Sequence, residues 1–194
     1  GLPFASLMEN PVLQAHLSEL LGDTCIVYAY TSSSMPPSGK NYSSRIHVDC
    51  PRLIPGYITN VGVMLALDDY TAENGATYFL PGSHTRADVP GEKEFFANAE
   101  RAYPKAGGAV IFNARTFHMG APNSTPKPRH AITMNVCRSY MRQRFDYPKM
   151  VPESVLSQLG PVGRRFLGFN VRMPTTLEEY YVPEEKRLYK SNQG

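Results

Sequence analysis

Proline sets the frame for this chain. Seventeen prolines stand beside fifteen glycines, and clusters of Asn, Asp and Ser add further breaks. Proline fixes φ and removes a backbone donor, so long uninterrupted helices and central strands are ruled out wherever it recurs. Between the breaks lie short β-branched and aromatic runs: Cys25–Thr31, Tyr57–Leu67, Ala76–Leu80, Ala109–Asn113 and His130–Tyr140. Short apolar runs bounded by turn chemistry predict a mainly β, antiparallel protein with long loops. The glycines and prolines follow no period, which excludes collagen-like and low-complexity readings. With 194 residues, 42% of them hydrophobic, the chain can bury a sizeable core as a single domain over 1–194.

A few elements are predicted individually. Asn10 caps a helix that starts at Pro11 and runs to Leu21, with Gly22 after its last turn. Val12, Leu13, Leu17, Leu20 and Leu21 mark its apolar face. Arg45–Asp49 reads as a short strand, and Lys93–Glu100 as a short helix. From Pro152 to Gly194 the sequence suggests short helices and an irregular tail.

Charge narrows the function classes. Twenty basic and 17 acidic residues leave a formal charge of +3, without the long basic stripe or aromatic interleaving of a nucleic-acid binder. The clusters Arg138–Arg144 and Arg164-Arg165 are expected to be solvated surface. No apolar run reaches the ~20 residues of a membrane-spanning helix, and Gly1-Leu2-Pro3-Phe4 does not begin like a signal peptide. Cys25, Cys50 and Cys137 are odd in number and form no CxxC pair. A reducing, cytoplasmic location with unpaired thiols follows.

The chemistry concentrates on the histidines. His47 and Asp49 form a His-x-Asp pair, and residues i and i+2 of a strand share a face, so imidazole and carboxylate converge. The alternative is a hydrogen-bonded strand histidine with no metal. His118, beyond the run Ala109–Asn113, is the best third ligand. Two histidines and one carboxylate leave vacant positions on an octahedral ion, the arrangement of non-haem Fe(II) oxygenases. His16 is expected to be an ordinary helix residue, His84 to close the Pro81-Gly82-Ser83-His84 loop, and His130 to face away from Arg129. Arg129, eleven residues after His118, heads the run that follows. Its guanidinium fork suits the far carboxylate of a dicarboxylic acid such as 2-oxoglutarate. A loop arginine between Pro126, Pro128 and the next strand is the alternative.

These features together resemble the phytanoyl-CoA dioxygenase family of Fe(II)/2-oxoglutarate-dependent oxygenases. The resemblance rests on His47-Val48-Asp49, Leu67-Asp68-Asp69, Glu73-Asn74-Gly75-Ala76-Thr77 and Leu80-Pro81-Gly82-Ser83-His84. Gly107–Phe112 leading to His118, and then Asn123 and Arg129, complete it over residues 42–145. It implies a double-stranded β-helix, or jelly roll, of cupin type with flanking helices. It implies Fe(II) held by His47, Asp49 and His118, and 2-oxoglutarate clamped by Arg129 with hydroxyl contacts from Thr77 and Ser44. Asn123 would tie down the loop after His118. Met64 stands where relatives sometimes carry an aromatic residue. Relatives usually carry more chain before the first ligand than the 46 residues here, which suits either a short member or a fragment lacking an N-terminal helical part.

The activity implied is hydroxylation of a small organic molecule by O₂, with 2-oxoglutarate released as succinate and CO₂. Asp49 argues against a halogenase, because halogenating relatives have Gly or Ala there. A cupin-like metal or ligand binder without turnover, and a metal-dependent hydrolase, are the competing readings, and Arg129 discriminates against the first. Substrate contacts are expected from the loops Thr31–Ser43, Pro51–Gly56 and Asp146–Val171.

Overall fold

A computed structural model describes residues 1–191. Its elements in chain order are α1 (Leu2–Leu7), α2 (Pro11–Leu21), β1 (Ile26–Met35), β2 (Asn60–Ala66), β3 (Thr77–Phe79), α3 (Glu92–Asn98), β4 (Glu100–Arg101), β5 (Ala109–Asn113), β6 (His118–Gly120) and β7 (Arg129–Cys137). Four short helices follow, α4 (Tyr147–Met150), α5 (Glu153–Leu156), α6 (Pro161–Phe166) and α7 (Leu177–Tyr180). The chain divides into two compact units, one of Gly1–Ala29 with Val136–Gly194 and one of Tyr30–Asn135.

The first unit is built around α2. The Asn10 side chain accepts hydrogen bonds from the backbone N–H of Val12 and Leu13, and Gly22 closes the helix at φ 88°. The cap and stop are those expected, but the buried face is rotated. Leu13, Gln14, Leu17 and Leu21 point inward, whereas Val12 is 66% exposed and Leu20 lies at the surface. The rotation has a polar cause: Gln14 donates to the Met8 carbonyl at 2.6 Å and accepts from Arg165 at 2.7 Å. Leu17, Phe166 and Leu167 are fully or nearly fully buried, each worth about 1.5–3 kcal/mol.

Two expectations are corrected in this unit. The basic clusters are not merely solvated surface. Arg165 donates to the Cys25 carbonyl, Arg138 to the Leu21 carbonyl, and Arg164 both donates to Leu156 and stacks over Phe169. Guanidinium groups here satisfy main-chain carbonyls left over by the short elements. The segment 146–171, counted among the substrate-contacting loops, folds into α4, α5 and α6 with Leu156, Leu159 and Phe166 in the core, and the short helices expected beyond Pro152 are present.

The second unit carries most of the strand residues, β1 starting and β7 ending in the first. Strands run in the order β1-β7-β2-β5 in one and β4-β3-β6 in the other. β2 pairs antiparallel with β5, Gly62 opposite Phe112, and β3 pairs antiparallel with both β4 and β6. The strand expected at Tyr57–Leu67 is trimmed to Asn60–Ala66, and that at His130–Tyr140 shifts to Arg129–Cys137. Arg45–Asp49 is not a strand. It contributes a single antiparallel bridge, His47 opposite His118, because the Asp49 and Cys50 N–H groups both turn to the Ala114 carbonyl. β4 and β6 are too short to be read from periodicity.

Replacing Asn10 by alanine removes the side-chain acceptor for two N–H groups of α2. A loss of about 1 kcal/mol is expected, seen as a lower urea midpoint with unchanged slope.

Candidate metal centre

The centre is assembled on β6 and its neighbours. His118 begins β6 and sits between two partners, opposite Phe79 of β3 and opposite His47. The latter pair exchanges both backbone hydrogen bonds, 3.1 Å from His47 N–H to the His118 carbonyl and 2.9 Å in return. This exchange places the two imidazoles side by side, with ring centroids 4.2 Å apart.

Each ring is then oriented by its own backbone. His47 Nδ1 lies 2.7 Å from the Arg45 carbonyl, and His118 Nδ1 lies 3.0 Å from the Thr116 carbonyl. A carbonyl can only accept, so each Nδ1 carries a proton, and Nε2 is the atom of each neutral ring that offers a lone pair to a metal. Both Nε2 atoms face Asp49, at 3.6 Å from Oδ1 for His47 and 3.8 Å from Oδ2 for His118. One ligand atom from each of the three residues fits within 4.8 Å of the others, and among the described residues no further His, Cys, Asp or Glu joins them. Two neutral imidazole nitrogens and one carboxylate at this spacing suit a divalent ion of the iron type with positions left open. The expected ligands are therefore brought together, while His16, His84 and His130 lie outside the group.

Aromatic packing fixes His118 further. Phe79 stacks on its ring at 5.7 Å, and Phe112 meets it edge-on at 4.9 Å. Phe112 reaches that position because it lies across the backbone of Gly62, where any Cβ would fall within the ring. Burial among these rings pushes the His118 imidazole below its ordinary range; the Asp49 charge opposes this. His118 is thus a neutral donor at neutral pH.

Arg129 opens β7 and is 4% exposed. It donates to the carbonyls of Asn74 (3.3 Å) and Gly75 (3.2 Å), and its guanidinium stacks 4.0 Å over Tyr70. Gly75 has φ 89° and no room for a Cβ beside the Ala121 carbonyl, so the turn that presents these carbonyls requires glycine. Among the described residues no carboxylate lies within 4.0 Å of Arg129. A buried cation whose hydrogen bonds go to neutral carbonyls, with Asp68 acting on it through charge without an ion pair, is suited to an incoming anion. His130 turns outward onto Asp68 (3.0 Å), as alternation along a strand dictates.

Thr77 is buried, and its hydroxyl donates to Met64 Sδ at 3.5 Å, so the threonine and the methionine singled out in the sequence are partners. Met64 and Tyr70 belong to one apolar cluster, against which Phe79 also packs. Phe79 therefore links the surroundings of Arg129 to His118. Ser44 sits in a turn, where its Oγ accepts from Asn41 N–H at 3.4 Å. Asn123 ties down its loop through the Lys127 carbonyl at 2.8 Å. Ser83, unremarked in the sequence beyond its motif, accepts the Phe117 N–H at 2.9 Å and so steadies the approach to His118. A cavity of about 370 Å³ opens between residues 53–58, the turn at His84 and the β5–β6 connection.

Comparison with known proteins agrees with this geometry. The profile of the phytanoyl-CoA dioxygenase family matches residues 4–131. An uncharacterized protein of Mycobacterium tuberculosis, Rv1501, is 32% identical over 98% of this chain and 72% of its own length. The iron/alpha-ketoglutarate-dependent dioxygenase penM of Penicillium thymicola is 29% identical over 57% of this chain, but only 35% of its own length is covered. Among solved structures, EctD of S. alaskensis with 2-oxoglutarate and 5-hydroxyectoine superposes with a TM-score of 0.60 at 21% identity, covering 69% of this chain and 51% of that one.

Two outcomes test this geometry. In metal-free protein the folded state holds His118 below the ordinary histidine value, so the unfolded chain takes up the proton first. The contribution is complete above the unfolded value of about 6.5 and declines as pH falls below it; urea midpoints at successive pH values should show this fall, and His118→Phe should flatten it. Gly62→Ala should displace Phe112 and cost about 1–3 kcal/mol, with a measurable drop in metal affinity.

Proposed function

The chain belongs to the phytanoyl-CoA dioxygenase family of Fe(II)/2-oxoglutarate-dependent dioxygenases, and we propose that it hydroxylates a small organic molecule at a centre formed by His47, Asp49 and His118. The observation that carries this reading is the pairing of that open three-residue donor set with a buried guanidinium, Arg129, that forms no ion pair within 4.0 Å among the described residues. A metal-storing or purely structural site has no use for the second feature. We take residues 1–194 as one oxygenase domain on a double-stranded β-helix. The bridge at His47 extends the β4-β3-β6 sheet by one further chain, which supports that architecture.

Each residue has a definable task. Asp49 supplies the negative charge that offsets a divalent ion. The Arg45 and Thr116 carbonyls hold both imidazoles in the tautomer that leaves Nε2 free. Phe79 and Phe112 cover His118 and exclude water from its ring. When bound, ferrous iron supplies the redox chemistry that couples O₂ to conversion of 2-oxoglutarate into succinate and CO₂ and to substrate hydroxylation. Arg129 would hold and neutralise the distal carboxylate of 2-oxoglutarate. Thr77 can exchange its thioether partner, a weak acceptor, for a carboxylate oxygen at little cost. Ser44 accepts from Asn41 and keeps its own proton to donate to the cosubstrate.

The reading extends to setting and substrate class. Cys25, Cys50 and Cys137 are buried and form no disulfide, consistent with a reducing cytoplasm. No described helix is long and apolar enough to cross a membrane. A formal charge of +3 favours a small molecule over nucleic acid as substrate.

The test separates ion from cosubstrate. Asp49→Ala should weaken Fe(II) retention and abolish succinate formation. Arg129→Ala should leave metal binding intact and weaken 2-oxoglutarate at least about a hundredfold, the scale set by about 3–5 kcal/mol for one lost partner of a buried pair; Arg129→Lys should recover part of it. Equal 2-oxoglutarate affinity in Arg129→Ala, by calorimetry on the anaerobic Fe(II) protein, would favour a metal-binding protein without turnover.

A further inference from the structure

The cavity lined by residues 53–58, His84 and the start of the connection that leads to His118 has a second buried guanidinium in its wall. Arg115 is 7% exposed and lines a space of about 370 Å³, within the range of small-molecule sites. Its terminal nitrogens donate to the Pro51 carbonyl at 3.0 Å and to the Arg86 carbonyl. Its Nε–H has no partner, and among the described residues no carboxylate comes within 4.0 Å of it. The nearby acids Asp88 and Glu94 are both engaged by Arg86. His84 shares the lining, and no acidic residue does. The rest of the wall includes Leu53, Ile54 and Ile58.

We infer that this cavity holds the prime substrate by an anionic group, a carboxylate or a phosphate, placed against Arg115 and His84 with its apolar body along Leu53, Ile54 and Ile58. The proposal rests on the oxygenase reading and gives it a substrate class. Carbonyl dipoles satisfy the hydrogens of Arg115 without cancelling its charge, so the wall carries an uncompensated cation in an apolar setting. Position supports a role in the reaction. Arg115 follows Ala114, whose carbonyl receives the N–H of the candidate ligand Asp49 at 2.9 Å, and it precedes His118 by three residues in the same connection. A ligand seated on Arg115 thus lies on the segment that carries His118 and whose Ala114 carbonyl holds the backbone N–H of Asp49. A purely structural Arg115, tying the chain at Pro51 to the chain at Arg86, would need neither His84 nor an apolar wall.

The test uses the Zn(II)- and 2-oxoglutarate-loaded protein and the probes decanoate, decyl phosphate, decanol and decylamine, read by calorimetry and by the His84 ring resonances. Decanoate and decyl phosphate should bind at least about tenfold more tightly than decanol and decylamine and shift the His84 signals; the better of the two identifies the headgroup. Ile54→Asp, a change at the exposed rim, removes apolar wall from every probe and adds repulsion for the anions alone, so decanoate should weaken about tenfold more than decanol does. Arg115→Lys should weaken decanoate with metal and 2-oxoglutarate affinities retained. Equal binding of decanol and decanoate, or anion binding without a His84 shift, overturns the inference. If Zn(II) or 2-oxoglutarate fails to bind, the reading of the centre fails instead, and the cavity is still judged on the four probes.

Discussion

The pair of backbone hydrogen bonds between His47 and His118 is the interaction on which the rest of the centre depends. It is one bridge, not a ladder, yet it fixes the separation of two imidazoles that lie 71 positions apart in sequence. Everything downstream is local once that bridge exists. Carbonyls two residues before each histidine set its tautomer, and Asp49 meets both Nε2 atoms because the Ala114 carbonyl turns the chain just there. Little conformational freedom remains to be removed when an ion arrives, which is the physical content of a preorganised site.

A second constraint is electrostatic. The larger unit buries two guanidinium groups, Arg129 and Arg115, and satisfies both largely with main-chain carbonyls. Burying an uncompensated cation costs stability, so its persistence at two places points to ligands that bring the opposite charge. Phe79 packs between the surroundings of Arg129 and the ring of His118, giving the centre an apolar lining in which charge interactions are strengthened.

Much of this was legible in the sequence, and the limits have physical causes. Prolines and glycines marked the strand boundaries, and the His-x-Asp pair, His118 and Arg129 could be picked out because each residue type has a specific chemical use. The buried face of α2 departs from its apolar pattern because a hydrogen-bonded glutamine can be buried as deeply as a leucine: Gln14 takes a core position and Leu20 lies at the surface. Charge alone predicts a surface place for the arginines of the smaller unit, because it does not reveal a carbonyl partner. The roles of Gly62 and Phe112 depend on cross-strand register, and that of Arg115 on chain segments far apart in sequence, so no local pattern carried them.

The most direct measurement is a crystal structure of the protein soaked with Mn(II), with the ion located by its anomalous scattering. The account predicts one strong peak bonded to Nε2 of His47, Nε2 of His118 and a carboxylate oxygen of Asp49, with both Nδ1 atoms still on the Arg45 and Thr116 carbonyls. A peak held by Nδ1 of either histidine, or one lying away from these three side chains, would contradict it.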